Sequence, residues 1–293
     1  MILDGKIAAN FFSESLSKEV AEFERVHKLK PHLAALMVGK SGPSETYVAA
    51  KMEACKKIGV QSSLFRFEES ISEEELLGEI EKLNSDPSIH GFIVQLPLPS
   101  HISVDRIIES VKPEKDVDGF HPINLGKMAK GQPAFASATP WGIIKLLKYY
   151  NIDTEGKHVV VLGRSQIVGL PMSLLLSRNS NPGNATVTIC HSKTKNIKDL
   201  AIQADILIAA LGIPEFVTSD FVKQGAVVID VGISRIKDET KKSGFRLVGD
   251  VDYMNVAPKC TAITPVPGGV GPMTIIALME NTLMAAKNQM NRN

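Results

Sequence analysis

The stretch VVVLGRSQIVGLP (159–171) decides the fold class of this chain. An apolar, β-branched run ends at Gly163, a short loop follows, and a helix is predicted to begin near Val168. This layout is typical of a βαβ unit that binds a dinucleotide, since backbone N–H groups at the helix start can hold phosphates. Ser165 stands where the usual GxGxxG pattern has its second glycine, so a tight turn without a ligand stays open as an alternative.

Apolar runs and helical patterns alternate in both directions from this stretch and predict an α/β protein with a mainly parallel sheet. Further buried strands are predicted at 185–190, 205–212 and 226–232 after it, and at 32–39, 62–67 and 90–99 before it. Helices are predicted at 43–57, 71–85, 141–150 and 272–287, and the Gly- and Pro-rich segment 111–140 predicts loops with one short helix. A length of 293 residues fits about two domains.

The bulk composition argues against several classes of protein. Lys and Arg number 33 against 32 Asp and Glu, so the basic excess typical of nucleic-acid binding is missing. No apolar run approaches the roughly 20 residues that span a bilayer, and the start MILDGKIAANFF does not resemble a signal peptide. The three cysteines are scattered and form no CxxC pair. We therefore expect no metal, no nucleic acid, no membrane partner and a cytoplasmic location.

The end of the strand at 185–190 distinguishes between the two nicotinamide cofactors. NAD enzymes usually place an acidic residue about 20 residues after the glycine-rich turn, where it holds the ribose 2′-hydroxyl. This chain has Cys190-His191-Ser192-Lys193 there, and Arg164 lies in the turn itself. A 2′-phosphate would be repelled by a carboxylate and held by Arg, Ser and Lys, so the sequence favours NADP. Taken singly, His191 and Lys193 are also typical of a solvated loop.

A second group of polar residues lies in the first half of the chain. Tyr47 and Lys51 share one face of a predicted helix, where a ring that stacks on a flat heterocycle would lie beside an amine that can move protons. A surface lysine beside a half-buried tyrosine has the same spacing. Gln95 interrupts an apolar strand, where a buried amide needs partners, although it could simply bridge backbone groups. Asp118 precedes a glycine, a pair that is also common in turns.

The segment TPVPGGVGPMT (264–274) has three prolines and three glycines just before the last predicted helix. Its glycines allow a ligand to approach the backbone closely, although a rigid hinge would have the same composition. The chain has no G-x-S-x-G elbow, no HExxH and no P-loop, so none of those three kinds of site is indicated.

Together these motifs resemble the bifunctional methylenetetrahydrofolate dehydrogenase/methenyltetrahydrofolate cyclohydrolase family. The resemblance covers nearly the whole chain in the family's order, and it is specific although most motifs are weak singly. The matching segments are YVAAK (47–51), VQLPLP (94–99), PEKDVDGFHPINLG (113–126), VLGRSQIVGLP (161–171), ATVTICHSKT (185–194), ADILIAALG (204–212), VIDVGI (228–233) and ITPVPGGVGPMT (263–274).

The resemblance implies an architecture and an oligomeric state. The chain would have two α/β domains around a cleft, the second a Rossmann-like dinucleotide-binding domain with a mainly parallel sheet. Residues 1–140 with 271–293 would form a folate-binding catalytic domain, onto which the final helix folds back. Residues 141–270 would form the NADP-binding domain, and two copies would form a homodimer.

The resemblance also implies site residues. Lys51 would be the catalytic lysine, and Tyr47 would pack its ring on the pterin. Gln95 would tune Lys51, and Asp118 would hydrogen-bond the pterin. The folate would be bordered by Pro267, Gly268 and Gly269. NADP would be contacted by Gly163, Arg164, Ser165, Ser192 and Ile233, and the residue-based candidate His191 joins them.

The implied activity is oxidation of 5,10-methylenetetrahydrofolate to 5,10-methenyltetrahydrofolate with NADP, then hydrolysis to 10-formyltetrahydrofolate. The protein would mainly align hydride donor and acceptor, and the proton transfers of hydrolysis would fall to Lys51. One departure is visible: the family usually has Pro-Cys-Thr-Pro where this chain has Ser137-Ala138-Thr139-Pro140. We expect changed local packing there and retained chemistry.

Two other hypotheses follow from the residues alone. The first is an NADP oxidoreductase for another small carbonyl or hydroxy substrate, similar to shikimate dehydrogenase, and the set of Tyr47, Lys51, Gln95 and Asp118 argues against it. The second is a nucleotide-sensing module, which would bind NADP without turnover.

Overall fold

The structure, a computed structural model, describes residues 1–39, 42–241 and 244–291. The chain divides into two compact units. One comprises Met1–Asn10 and Thr139–Thr274 and contains a five-stranded sheet. The other comprises Phe11–Ala138 and the chain from Ile275 onward and contains a three-stranded sheet. We refer to them as the five-stranded unit and the three-stranded unit.

The three-stranded unit alternates strands and helices along the chain. Its elements are most of α1 (Gly5–His27), then β1 (His32–Val38), α2 (Gly42–Ile58), β2 (Gln61–Phe67), α3 (Glu73–Ser85), β3 (Gly91–Val94), α4 (Val104–Ser110) and α5 (Pro122–Ala129). The strands are parallel in the order β2-β1-β3, and every residue of β1 is buried. A central strand buried on both faces is expected in a parallel sheet covered by helices.

Helix α3 shows how the local sequence determines where an element begins. The Ser72 hydroxyl accepts a hydrogen bond from the Glu75 N–H, and the Glu75 carboxylate accepts one from the Ser72 N–H. This capping box satisfies two N–H groups that the helix itself leaves without a partner. The apolar residues Leu76, Ile80 and Leu83 are buried in a core shared with β1 and β3. The helix predicted at 71–85 is therefore confirmed.

The strand predicted at 90–99 is shorter in the structure, because β3 ends at Val94. The N–H of Gln95 still donates to the carbonyl of Leu36, at 2.9 Å. Pro97 and Pro99 follow, and a proline has no N–H for a strand ladder. The prediction is therefore wrong beyond Val94, and the chain leaves the sheet at the polar residue Gln95.

The five-stranded unit is also parallel, which confirms the predicted α/β class and mainly parallel sheet. The sheet order is β10-β7-β6-β4-β5, and β8 and β9 form a separate antiparallel ribbon. The elements are α6 (Ala138–Tyr149), β4 (His158–Leu162), α7 (Gly169–Ser177), β5 (Thr186–Cys190), α8 (Ile197–Ala201), β6 (Ile206–Ala209), β7 (Val227–Asp230), β8 (Ser234–Lys237), β9 (Phe245–Val248), α9 (Tyr253–Val256) and β10 (Ala262–Ile263). The last helix, α10 (Val270–Met290), begins in this unit and belongs to the three-stranded unit from Ile275 onward. Short 3₁₀ turns occupy Ser219–Phe221 and Ala257–Lys259.

The first ten residues lie in the five-stranded unit, whereas the predicted first domain included them. Main-chain hydrogen bonds explain the difference. The N–H of Leu3 donates to the carbonyl of Ile263 at 2.8 Å, and the N–H of Ile263 donates to the carbonyl of Met1 at 3.0 Å. The chain start therefore pairs with the edge strand β10. The other predicted boundaries, after 140 and 270, lie within four residues of the observed ones, after Ala138 and Thr274.

Several elements have no predicted counterpart. Helix α1 is the longest of them, although its buried Leu16, Val20 and Phe23 follow helical spacing. Short elements such as α4 and the β8–β9 ribbon carry too little periodicity for a pattern to indicate them. In the part of the chain that the structure describes, no helix is both long and apolar enough to cross a membrane.

Candidate active site

Helix α2 places Tyr47 and Lys51 on one face, as their spacing predicts. Val48 beside them is fully buried, so the helix is anchored while Tyr47 stays 37% exposed and Lys51 is half-buried. Burial raises the pKa of the Tyr47 hydroxyl, which keeps the phenol neutral around pH 7. An uncharged ring of this kind offers a stacking surface next to an amine.

The amine of Lys51 donates to Gln95, which stands just beyond the carboxyl end of β3. The distance from Lys51 Nζ to Gln95 Oε1 is 3.2 Å. The Gln95 side-chain N–H₂ donates to the carbonyl of Leu96 at 2.7 Å, so its oxygen must face the amine. The predicted neighbourhood of Gln95 and Lys51 is present in the structure. The alternative role, bridging backbone groups, is present as well.

Asp118 completes this group. It lies half-buried on the loop of residues 113–121, which we call the Asp118 loop. Burial raises the pKa of the Asp118 carboxyl, and the nearby Lys51 charge acts in the opposite direction. The structure therefore brings Lys51, Gln95 and Asp118 together, with Tyr47 one helical turn away.

A second carboxylate, Asp116, supports this loop and was not among the predicted site residues. It is buried and accepts hydrogen bonds from the N–H groups of Phe120 and His121, at 3.1 and 2.8 Å, and from Asn124 Nδ2 at 2.8 Å. Burial raises the pKa of Asp116 to about 6, and these hydrogen bonds limit the rise. The hydrogen bonds therefore favour the ionised carboxylate, and burial opposes it. The sequence carries a signal for it, because an aspartate within a loop often accepts hydrogen bonds from nearby backbone N–H groups.

In the five-stranded unit, the candidate cofactor residues follow the carboxyl ends of adjacent strands. Leu162 pairs with Cys190 on one side and with Ala209 on the other. Ala209 pairs in turn with Asp230. The residues after these strand ends therefore lie side by side along one edge of the sheet. This is the edge at which open α/β sheets bind their ligands.

The turn from β4 to α7 has room only for glycine at two positions. Gly163 has a φ of +121°, and a Cβ there would lie 2.2 Å from the carbonyl oxygen of Ala210. A Cβ on Gly169 would lie 2.1 Å from the carbonyl oxygen of Gly163. The first helical turn therefore packs directly on the strand end, as in dinucleotide-binding turns. Gly169 is not among the predicted site residues, although its position six residues after Gly163 is a usable signal.

The remaining cofactor candidates differ in what holds them. Ser165 caps the turn, since its hydroxyl accepts from the N–H groups of Val168 and Gly169, at 3.2 and 3.4 Å. His191 shapes its own turn, because its Nδ1 accepts from the N–H of Lys193 at 3.2 Å. Exposed side chains at the same edge belong to Arg164, Ser192 and Ile233.

The candidate folate-border residues Pro267, Gly268 and Gly269 lie in the five-stranded unit, between β10 and α10. Gly268 has a φ of +108°, which strongly favours glycine. Its carbonyl accepts from the N–H of Gly5 at 2.8 Å. Over residues 1–39, 42–241 and 244–291, no group of three or more His, Cys, Asp or Glu side chains could hold a metal ion.

Family models match both parts of the chain. The model described as "Tetrahydrofolate dehydrogenase/cyclohydrolase, catalytic domain" matches residues 3–118. The model described as "Tetrahydrofolate dehydrogenase/cyclohydrolase, NAD(P)-binding domain" matches residues 137–290. The first range contains Lys51, Gln95 and Asp118, and the second contains the turn from Gly163 to Gly169.

Individual relatives are similar over nearly their full length. The bifunctional protein FolD of Porphyromonas gingivalis is 57% identical over 286 residues, which cover 98% of this chain and 97% of that protein. The crystal structure of the bifunctional methylenetetrahydrofolate dehydrogenase/cyclohydrolase FolD from Campylobacter jejuni is 46% identical, with a TM-score of 0.91 and coverage of 98% and 99%. The corresponding Trypanosoma brucei enzyme, solved with NADP cofactor and an inhibitor, is 37% identical, with a TM-score of 0.93 and coverage of 99% and 98%.

Proposed function

This chain belongs to the tetrahydrofolate dehydrogenase/cyclohydrolase family, and from that premise we propose how its residues divide the work. The enzyme oxidises 5,10-methylenetetrahydrofolate to 5,10-methenyltetrahydrofolate with NADP and hydrolyses the product to 10-formyltetrahydrofolate. We assign folate binding and proton transfer mainly to the three-stranded unit. We assign NADP binding to the five-stranded unit.

Lys51 is the proton-transfer residue of the hydrolytic step in this proposal. Methenyltetrahydrofolate is an amidinium-like cation, and water adds to its bridging carbon. One carbon–nitrogen bond then breaks as the formyl C=O forms, so the water loses both of its protons: one reaches the departing nitrogen and the other is released. The assignment rests on the hydrogen bond of 3.2 Å from Lys51 Nζ to Gln95 Oε1. This bond orients a half-buried amine that lies near Asp118.

The neighbours of Lys51 bind and orient the folate in this proposal. Gln95 holds the amine, because its own orientation is determined by the hydrogen bond to the Leu96 carbonyl. The Asp118 carboxylate accepts hydrogen bonds from N–H groups of the pterin, and the neutral ring of Tyr47 stacks on the pterin. The loop of Pro267, Gly268 and Gly269 offers the folate a border without side-chain bulk at two of its three positions.

The residues at the sheet edge of the five-stranded unit fit NADP. A Cβ at Gly163 or Gly169 would fill the turn, so the main chain is left open for a phosphate next to the start of α7. Arg164 and Ser192 follow the neighbouring strands β4 and β5, and both side chains are exposed. Both could therefore bind the 2′-phosphate of one NADP molecule. Ser165, His191 and Ile233 complete the proposed contacts. When bound, NADP accepts the hydride of the methylene carbon.

The departure at Ala138 is compatible with this chemistry. Ala138 is buried and contributes through its main chain, since its N–H donates to the carbonyl of Asp118 at 3.1 Å. Any residue except proline supplies this donor. The alanine therefore keeps the contact that bears on the Asp118 loop.

We also propose that the enzyme acts as a homodimer in the cytoplasm. The β8–β9 ribbon exposes Phe245 and Leu247, and nearby Met254 is 79% exposed. An exposed apolar set on a two-stranded ribbon supports pairing with a second copy. Cys55 and Cys190 are buried free thiols, which supports a reducing compartment. Light scattering on the purified protein tests the dimer.

The experiment that tests the activity follows both steps in one reaction. Wild-type protein receives 5,10-methylenetetrahydrofolate and NADP, and NADPH, the methenyl intermediate and 10-formyltetrahydrofolate are quantified over time. We expect NADPH first and 10-formyltetrahydrofolate after it, at a rate above that of the buffer. NADPH formation with the methenyl compound decaying only at the buffer rate would contradict the hydrolytic half of the proposal. NADP binding without turnover would favour the nucleotide-sensing hypothesis.

A further inference from the structure

One buried amide of the last helix lies against the Asp118 loop. Asn281 is 3% exposed, and most of its neighbours along α10 are buried apolar residues such as Leu278 and Met279. A primary amide in these surroundings is unfavourable unless it is fully hydrogen-bonded. The roles assigned above make no use of it.

Both hydrogens of the Asn281 amide nitrogen are engaged by backbone carbonyls. Nδ2 donates to the carbonyl of Val117 at 2.8 Å and to the carbonyl of Ala136 at 3.0 Å. Val117, which directly precedes Asp118, lies 164 residues from Asn281 along the chain, and Ala136 lies 145 residues from it. Two carbonyls can be served by one nitrogen only if it carries two N–H groups, so the side-chain amide suits this position and a hydroxyl or carboxylate does not.

The two segments joined by Asn281 also hold the main chain around Asp118. The N–H of Ala138 donates to the carbonyl of Asp118 at 3.1 Å, and the Ser137 hydroxyl donates to the carbonyl of Gly119 at 2.9 Å. A Cβ on Gly119 would lie 2.6 Å from the carbonyl carbon of Ala136, so the segments are in close contact. Each of the three consecutive carbonyls of residues 117, 118 and 119 therefore accepts a hydrogen bond. The donor to the first is Asn281 of the last helix, and the donors to the other two are Ala138 and Ser137.

We propose that Asn281 is a positioning residue for Asp118. By holding residues 117 and 136 to α10, it determines where the Asp118 carboxyl stands relative to Lys51. This inference rests on the proposed function, because it assumes that Asp118 binds the folate. Without the amide, both carbonyls lose their hydrogen-bond donor and the two segments relax. The Asp118 carboxyl then moves away from the position in which it would bind the substrate.

The test compares Asn281→Leu with a matched control on the same helix. Leucine has a similar size and no donor. The control is Thr282→Val, since Thr282 is fully buried and its hydroxyl donates to Leu278 within α10, away from the Asp118 loop. Hydrolysis of methenyltetrahydrofolate is measured without NADP, well below the melting temperature of each variant, together with NADP affinity.

We expect Asn281→Leu to lower kcat/KM for hydrolysis roughly 10- to 100-fold, mainly through KM, and to leave the NADP dissociation constant within about twofold. Thr282→Val should keep kcat/KM within about twofold even if it lowers the melting temperature equally. The acid limb of the pH–rate profile should also move to higher pH in Asn281→Leu, because Asp118 would lose part of the attraction to Lys51 that opposes the rise of its pKa.

Asn281→Ser serves as the second variant, in case the leucine variant does not fold. Its hydroxyl lies one atom closer to the main chain than the amide nitrogen and cannot serve both carbonyls, so a loss of kcat/KM in the same direction is expected. A folded Asn281→Leu or Asn281→Ser with the kcat/KM and pH profile of Thr282→Val would overturn the inference alone. An inactive wild type would overturn the proposed function first, and the inference with it.

Discussion

The Lys51 site of the three-stranded unit depends on side chains, whereas the β4–α7 turn of the five-stranded unit depends on the main chain. Around Lys51 the decisive groups are side chains: an amine on α2, an amide just after β3 and a carboxyl on the Asp118 loop. In the β4–α7 turn the decisive feature is the absence of side chains, because Gly163 and Gly169 have no space for a Cβ. One site depends on chemical groups, and the other depends on shape.

This difference predicts that the two functions can be separated by mutation. A substitution that removes a polar group near Lys51 should affect hydrolysis and leave cofactor affinity intact. A substitution that adds a methyl group to the turn should have the opposite effect.

The largest effect is expected from Lys51→Met, which removes the amine and keeps most of the side-chain volume. Hydrolysis of methenyltetrahydrofolate should fall roughly 10²- to 10⁴-fold, the range that positioned acid–base groups contribute. NADP affinity, measured by titration of the same preparation, should not change. The control is Lys56→Met, an exposed lysine of the same helix, which should retain activity. Undiminished hydrolysis by Lys51→Met would remove Lys51 from the mechanism.

The matching change in the other unit is Gly169→Ala. Its Cβ would stand 2.1 Å from the Gly163 carbonyl oxygen, so the turn must open and lose its fit to the cofactor phosphate. NADP should bind roughly 100-fold more weakly, while NADP-independent hydrolysis stays within about threefold. Gly78→Ala is the control, because a Cβ at that position of α3 meets no atom within 4 Å. Normal NADP binding by Gly169→Ala would show that the turn does not form the cradle.

A smaller and more selective effect is expected from Arg164→Ala. The guanidinium is proposed to hold the 2′-phosphate, which NAD lacks, and hydrogen bonds to charged groups contribute about 1.5–3 kcal/mol. The dissociation constant of NADP should rise roughly tenfold, and that of NAD should change by less than about twofold. Competition titrations with both dinucleotides on one preparation measure the ratio. An equal loss for both would place Arg164 elsewhere on the cofactor.

The last predictions concern stability rather than activity, and each tests one buried carboxyl: Asp230 in the five-stranded unit and Asp116 in the three-stranded unit. Burial raises the pKa of Asp230 to about 7, although the N–H groups of Gly232, Asp250 and Val251 donate to it. An unfolded aspartate has a pKa near 3.9, so between these values the folded state binds the extra proton. The stability of the wild type relative to Asp230→Asn should therefore fall as the pH rises from 5 to 8.

Urea unfolding of both proteins at several pH values measures this difference, which we expect to be on the order of 2 kcal/mol. Asp116→Asn, in the three-stranded unit, should show the same sign over a narrower window, because the pKa of Asp116 rises only to about 6. A relative stability that increases with pH would contradict the burial argument for either residue.

The sequence was sufficient for features that repeat locally. Apolar β-branched runs predict four strands of the five-stranded sheet, and only the two-residue β10 has no predicted counterpart. The spacing of Tyr47 and Lys51 predicts their common helix face. Chemistry was less accessible, because the partners are distant along the chain. Lys51 meets Gln95 over 44 residues and Asn281 meets Val117 over 164, and no local period encodes such pairs. The pairing of the chain start with β10 escaped prediction for the same reason.

The central claim is that hydrolysis depends on the Lys51 side chain and not on the shape of the β4–α7 turn. Its most direct test is one hydrolysis assay, run without NADP, on Lys51→Met and Gly169→Ala side by side. The disappearance of methenyltetrahydrofolate is followed at equal enzyme concentration, and both variants are first shown to be folded. We expect hydrolysis by Lys51→Met to be close to the buffer rate and hydrolysis by Gly169→Ala to be close to that of the wild type. Equal losses in the two variants, or a loss confined to Gly169→Ala, would contradict this claim.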